Sequence, residues 1–146
     1  WSIYKSQDAY FKDLEALSDK VYDKVGVRSK IIRFPGGSSN TVSIKRCAGI
    51  MSDLVEAVED KGYVYFDWNV DSTDASENKA AKEKIVNNVL KYAKGKDKIC
   101  VLMHDLGVKT TTADALPEII EGLKEMGYRF EALDENSPVF HQAVNN

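Results

Sequence analysis

Apolar residues return at Tyr10, Leu14, Leu17, Val21 and Val25, a spacing that lays them on one face of a helix. Ser6 stands where an N-cap belongs and Gly26 where a helix stops. The run Lys30-Ile31-Ile32-Arg33-Phe34 then reads as a buried strand closed by Pro35-Gly36-Gly37. A second helix is expected over 44–61, with Ile50, Met51, Leu54, Val55 and Val58 inward and Gly62 as its stop. Tyr63-Val64-Tyr65-Phe66 is strand-like and leads into a polar loop, 67–74, dense in carboxylates. A third helix over 78–93 aligns Ala81, Ile85, Val89 and Ala93, with Gly95 behind it. The apolar run 99–103 is the next strand and passes directly into His104-Asp105. A last helix carries Leu116, Ile119, Ile120, Leu123 and Met126, with Pro117 expected in its first turn and Gly127 at its end. Residues 128–133 read as a final strand, and the tail 134–146 has no period.

The predicted order is therefore α-β repeated four times. Short, continuously apolar strands between amphipathic helices predict an α/β fold with a parallel sheet and the helices outside it. Arg33, the cluster from Asp67 to Asp74, and His104 all fall at or just after the C-terminal ends of predicted strands. In parallel β/α architectures that rim gathers binding and catalytic groups.

Composition narrows the picture. The 146 residues are 43% hydrophobic and 29% charged, which suits one globular domain and not a disordered segment. With 20 Lys and Arg against 23 Asp and Glu, the net charge of −3 disfavours a broad nucleic-acid surface. No apolar run approaches the roughly 18 residues of a membrane span. His104 and His141 are the whole histidine complement, so a site of three histidines cannot be built within this chain. Cys47 and Cys100 lack CxxC spacing. They leave two states open: free thiols, with Cys100 buried as a small hydrophobe, or a Cys47–Cys100 disulfide. The start at Trp1, without Met or signal peptide, reads as a processed or excised segment.

His104, beside Asp105 at a strand end, is a candidate proton donor or acceptor; the bland alternative is a histidine that only bonds a loop. His141, in the unpatterned tail, is expected to be solvated. Arg33 at the inner end of an apolar strand is expected to meet a carboxylate, functional or structural. Gly36 and Gly37 permit close backbone approach, and their N–H groups could face an oxyanion or merely form a turn. Asp67, Asp71 and Asp74 could bind a cation, orient a histidine or be solvated. They do not follow the EF-hand pattern.

Three segments in this order resemble the polysaccharide deacetylases, the NodB-homology domain of carbohydrate esterase family four. They are Arg33-Phe34-Pro35-Gly36-Gly37-Ser38-Ser39-Asn40-Thr41, Phe66-Asp67-Trp68-Asn69-Val70-Asp71-Ser72-Thr73-Asp74 and Val101-Leu102-Met103-His104-Asp105. The first matches the family's Arg-x-Pro-x-Gly motif, the second its Asp motif and the third its Leu-x-His motif; the resemblance covers roughly 1–133. The resemblance implies part of a deformed (β/α) barrel and metal-dependent deacetylation of N-acetylated sugar polymers, with a divalent metal, usually zinc. It implies that His104 protonates the leaving amine, that Asp74 (with Asp71 second) pairs with that histidine, and that Arg33 orients the catalytic base. It implies too that Leu102 lines the acetyl-methyl pocket, that the Gly36 N–H contacts the oxyanion, and that Trp68 and Asp71 lie on the substrate side. Ala75 departs from the pattern, where many members have Trp.

The family's Thr-Phe-Asp-Asp-Gly motif, with base and metal ligand, and its His-Ser/Thr-x-x-His motif are not in this sequence. Residues 1–146 thus read as the C-terminal portion of a catalytic domain, inactive alone and without a metal site of its own. The implied whole is a secreted or envelope-bound deacetylase of peptidoglycan N-acetylglucosamine. Its implied partners are a carbohydrate polymer and, across open sheet edges, the missing half or a second copy. The other reading is a non-catalytic carbohydrate-binding or assembly domain derived from the family.

Overall fold

The computed structural model describes residues 1–145. The chain forms two compact units, one from Trp1–Asp67 together with the segment from Leu133 onward, the other from Trp68–Ala132.

In the first unit α1 (Gln7–Val25) starts where the Ser6 hydroxyl accepts the Ala9 N–H at 3.1 Å. It ends at Gly26, whose φ of 71° is left-handed and whose N–H reaches the Tyr22 carbonyl. The helical period is as expected, but the burial is not. Only Tyr10 is buried, while Leu17, Val21 and Val25 are 57%, 38% and 65% exposed. Period specifies which residues share a face, and it takes a partner to cover them.

β1 (Ile31–Ile32) pairs in parallel with β2 (Val64–Tyr65), with Ile31 opposite Val64 and Ile32 opposite Tyr65. Between them α2 (Ile50–Asp60) begins six residues later than the expected start at Ile44. Gly49, at φ 82°, breaks the backbone just before it, and residues 41–49 are turns. Ile50, Met51, Leu54 and Val58 are buried against an aromatic column. In that column Tyr4, Tyr10, Phe34 and Tyr65 stand 5.2–6.1 Å apart, ring to ring. Burial pushes the Tyr65 phenol up to about 12.

The second unit holds β3 (Val70–Asp71), α3 (Lys82–Ala93), β4 (Val101–Leu102) and α4 (Thr110–Glu125). β3 lies inside what the sequence presents as a polar loop. It pairs in parallel with β4, with Val70 opposite Val101 and Asp71 opposite Leu102. Asn69 extends this short ladder, because its side chain accepts the Cys100 N–H at 2.8 Å and donates to the Lys98 carbonyl. The expected α/β class with parallel strands and four helices holds; the described strands form two parallel pairs, β1–β2 and β3–β4, and the element order is α-β-α-β-β-α-β-α in place of the expected strict α-β alternation.

α3 is shorter than the expected 78–93, and Ile85, Val86, Val89 and Ala93 form its buried face. α4 buries Thr112, Ala115, Ile119 and Leu123, leaving Leu116 and Met126 exposed. It also begins well before Pro117, which is inside the helix and not in its first turn. Pro117 and Ala113, the i−4 residue, are both exposed, so the forfeited hydrogen bond lies on the solvent side. The helices approach closely at Gly122, where a Cβ would stand 2.8 Å from both Leu90 methyls.

Residues 128–133 are not a strand. They pair with no strand among the described residues, and Phe130 and Leu133 stay about half exposed. No disulfide joins Cys47 and Cys100, and both are half-buried, so Cys100 is not the fully buried residue expected. No helix among the described residues is long and apolar enough to cross a membrane.

Candidate functional site

In the second unit, β4 delivers Leu102, half-buried, and two residues later His104. The turn Asp74–Ser76 delivers Asp74, which is fully buried. Asp74 Oδ2 accepts the His104 backbone N–H at 2.8 Å, and Oδ1 lies 2.8 Å from His104 Nδ1. Thr112, in the first turn of α4, donates its hydroxyl to Oδ2 at 3.1 Å. Burial alone pushes the Asp74 carboxyl up, but the bonds from His104 and Thr112 outweigh it and hold the pKa below its ordinary value of 3.8. An ionised carboxylate only accepts, so Nδ1 carries a proton and Nε2 is the atom left for proton exchange. His104 is 27% exposed and lines a depression of about 570 Å³ with Met103, Leu106, Thr112 and Leu116.

Asp71 is exposed and does not reach the histidine; its carboxylate accepts the Thr73 N–H at 2.7 Å instead. That bond closes a turn in which Thr73 takes φ 58°, the one left-handed non-glycine residue among those described. Trp68 is half-buried at the start of this unit.

In the first unit, Arg33 follows β1 directly. It is exposed and pairs with no carboxylate among the described residues, so the expected ion pair is not formed. Being exposed, the guanidinium stays hydrated and needs none. Gly37 donates its N–H to the Phe34 carbonyl at 2.7 Å, which makes it a turn donor and removes it as an oxyanion contact. Gly36, at φ 80°, has no acceptor for its N–H among the described residues. A Cβ there would meet Trp1 at 2.9 Å and Asn40 at 3.1 Å.

Asp67, 1% exposed, organises this loop. It accepts the Ser38 N–H at 2.8 Å, the Ser38 hydroxyl, and the Gln142 N–H at 2.9 Å. His141 is exposed, as expected, but it is not simply solvated. Its ring stacks on Tyr65 at 3.8 Å and meets the Tyr65 carbonyl at 3.1 Å.

The metal implied by the resemblance can be tested against the donors present. Among the described residues, no group of three or more His, Cys, Asp or Glu side chains could hold a metal ion. His104 Nδ1 is engaged by Asp74. The residues present do not fit a metal cage.

Sequence reasoning missed Thr112 and Lys109. The Thr110-Thr111-Thr112 run ahead of the last apolar period was the available signal for an earlier helix start, and nothing local marked Lys109.

No family model matches the chain. A peptidoglycan-N-acetylglucosamine deacetylase of Bacillus cereus is 33% identical over 98% of this chain, which covers 48% of that relative. The crystal structure of the catalytic domain of a peptidoglycan N-acetylglucosamine deacetylase from Eubacterium rectale matches 99% of this chain at 41% identity and a TM-score of 0.94, over 65% of its own length. A polysaccharide deacetylase structure from Bacillus cereus matches 99% of this chain at 30% identity and a TM-score of 0.75, over 66% of its own length. The chain spans about half the length of the curated relatives it matches. Over nearly its whole length the chain is thus homologous to part of the catalytic domain of the polysaccharide deacetylases of carbohydrate esterase family four, a domain that is a deformed barrel.

Proposed function

We propose that residues 1–146 are the C-terminal portion of a metal-dependent catalytic domain that removes acetyl groups from N-acetylglucosamine in peptidoglycan, outside the cytoplasm. The observation that carries this reading is the Asp74–His104 pair at the end of β4. With Nδ1–H held by an ionised Asp74, a protonated His104 has one labile proton, on Nε2. Giving it to the amide nitrogen as the C–N bond breaks releases a neutral amine, the role of a general acid. Leu102, two residues before His104, would line the acetyl-methyl pocket, and the Gly36 N–H would contact the oxyanion. Arg33, lacking a carboxylate here, would orient a base supplied by the rest of the protein. Trp68 and Asp71 would contact the sugar. The metal, zinc by family, would be held by residues outside this chain, because those present make no cage. Peptidoglycan as the polymer is supported by the named substrates of two relatives.

We propose also that the exposed α1 stripe and the apolar groove of about 280 Å³ beside β1, lined by Tyr10, Leu14, Leu17, Val21 and Ile32, receive the remainder of the catalytic domain. The chain alone is then inactive. The test is acetate release from N-acetylglucosamine oligomers with added zinc. We expect none from the 146-residue chain, and release from the intact protein that is lost in His104→Ala. Release by the chain alone, or an intact His104→Ala enzyme with undiminished rate, would refute the reading.

A further inference from the structure

Lys109 precedes α4 and is only 9% exposed, yet no carboxylate among the described residues pairs with it. Its ammonium donates instead to two main-chain carbonyls, those of Asp74 at 2.6 Å and Glu77. Burying an ammonium is unfavourable unless its donors are satisfied. Here two of the three donors are spent on one short stretch of backbone, residues 74–77. That stretch carries the carboxylate that grips His104. Three residues further on, Thr112 holds the Asp74 side chain at Oδ2. The start of α4 therefore grips Asp74 twice, by its carbonyl through Lys109 and by its carboxylate through Thr112. Neither Lys109 nor Thr112 hydrogen-bonds His104 itself.

We propose that Lys109 is a positioning residue for the Asp74–His104 pair: by clamping residues 74–77 to the start of α4 it fixes the carboxylate that holds the imidazole. Its catalytic meaning rests on the reading of His104 as the general acid. Its structural content does not.

The test is hydrogen exchange by NMR on the full 146-residue chain, at the His104 backbone N–H and the His104 Nδ1–H, with Ile85 and Val89 amides in α3 as controls. In Lys109→Met, which keeps the length and removes the donors, both His104 protons should exchange at least about tenfold faster while Ile85 and Val89 are unchanged. Lys109→Gln, able to reach one carbonyl, should fall between. A folded Lys109→Met chain with wild-type His104 exchange overturns the proposal. So does acceleration shared equally by Ile85 and Val89, which would make Lys109 a general stabiliser. If Lys109→Met does not fold, the same two criteria are applied to Lys109→Gln. Failure of the general-acid reading would show instead as undiminished acetate release by intact His104→Ala enzyme, leaving these exchange rates untouched.

Discussion

Asp74 holds His104 at two points, with Oδ2 on the backbone N–H and Oδ1 at Nδ1, each at 2.8 Å. One buried carboxylate thus fixes both the chain position and the ring orientation of the histidine. Asp74→Asn keeps the shape but sets an amide NH2 against at least one of these donors. A buried bond to a charged group contributes about 1.5–3 kcal/mol, so the variant should lose roughly that much stability, read by urea denaturation. In the acetate-release test of the proposed function, the variant of the intact protein should also show kcat lowered by about 10²-fold or more.

The same carboxylate predicts acid sensitivity. Its folded-state pKa lies below the ordinary 3.8, so the folded state binds that proton less readily than the unfolded state. Its stabilisation is fully present above the ordinary value and is lost as pH falls through the lower, folded value. Urea midpoints of wild type and Asp74→Asn should therefore differ at neutral pH and converge in acid below 3.8. A gap that stays constant through that range would contradict the assignment.

Gly122 sets how closely α4 approaches Leu90. Alanine there gains about 1 kcal/mol of helix propensity. Its Cβ, 2.8 Å from both Leu90 methyls, forces a half-buried side chain to move, at a cost of about 1–3 kcal/mol. The overpacking should prevail, so Gly122→Ala should lower Tm. If this contact is the cause, adding Gly122→Ala to a Leu90→Ala background should stabilise, because the propensity gain then acts alone.

Asp67 is the anchor of the Gly36 loop and of the segment around Gln142. Asp67→Asn places an NH2 among three donors, so it should cost about 1–3 kcal/mol. Amide exchange at Ser38 and Gln142 should quicken by more than that of Leu54, in the α2 core. Equal acceleration at all three would show that the carboxylate does not specifically hold the loop.

The exposed α1 stripe predicts a separable defect. Leu17 and Val21 are 57% and 38% exposed, so Leu17→Lys with Val21→Lys should change the stability of the chain by less than about 1 kcal/mol. It should abolish association of the chain with the separately expressed remainder that the proposed function requires, measured by light scattering of the mixture. Unimpaired association would remove the stripe as the contact.

Much of this protein was determined by local sequence. Ser6 and Gly26 bound α1, the apolar runs mark β1, β2 and β4, and the period of 50–58 gives the buried face of α2, because caps, breakers and periodicity act over a few residues. The motif order placed His104 and Asp74 among the candidates. Only the tertiary structure decided which aspartate reaches the ring. Asp71 and Asp74 are three residues apart and chemically identical, and the turn at Thr73 sends one to solvent and buries the other. It also decided that 70–71 is a strand, because β4 lies beside it, and that 128–133 is not, because no described strand pairs with it. Lys109, Thr112 and Asp67 acquire partners 29–75 residues away. Contacts at that range leave no local pattern, since they exist only once the elements that carry them are packed.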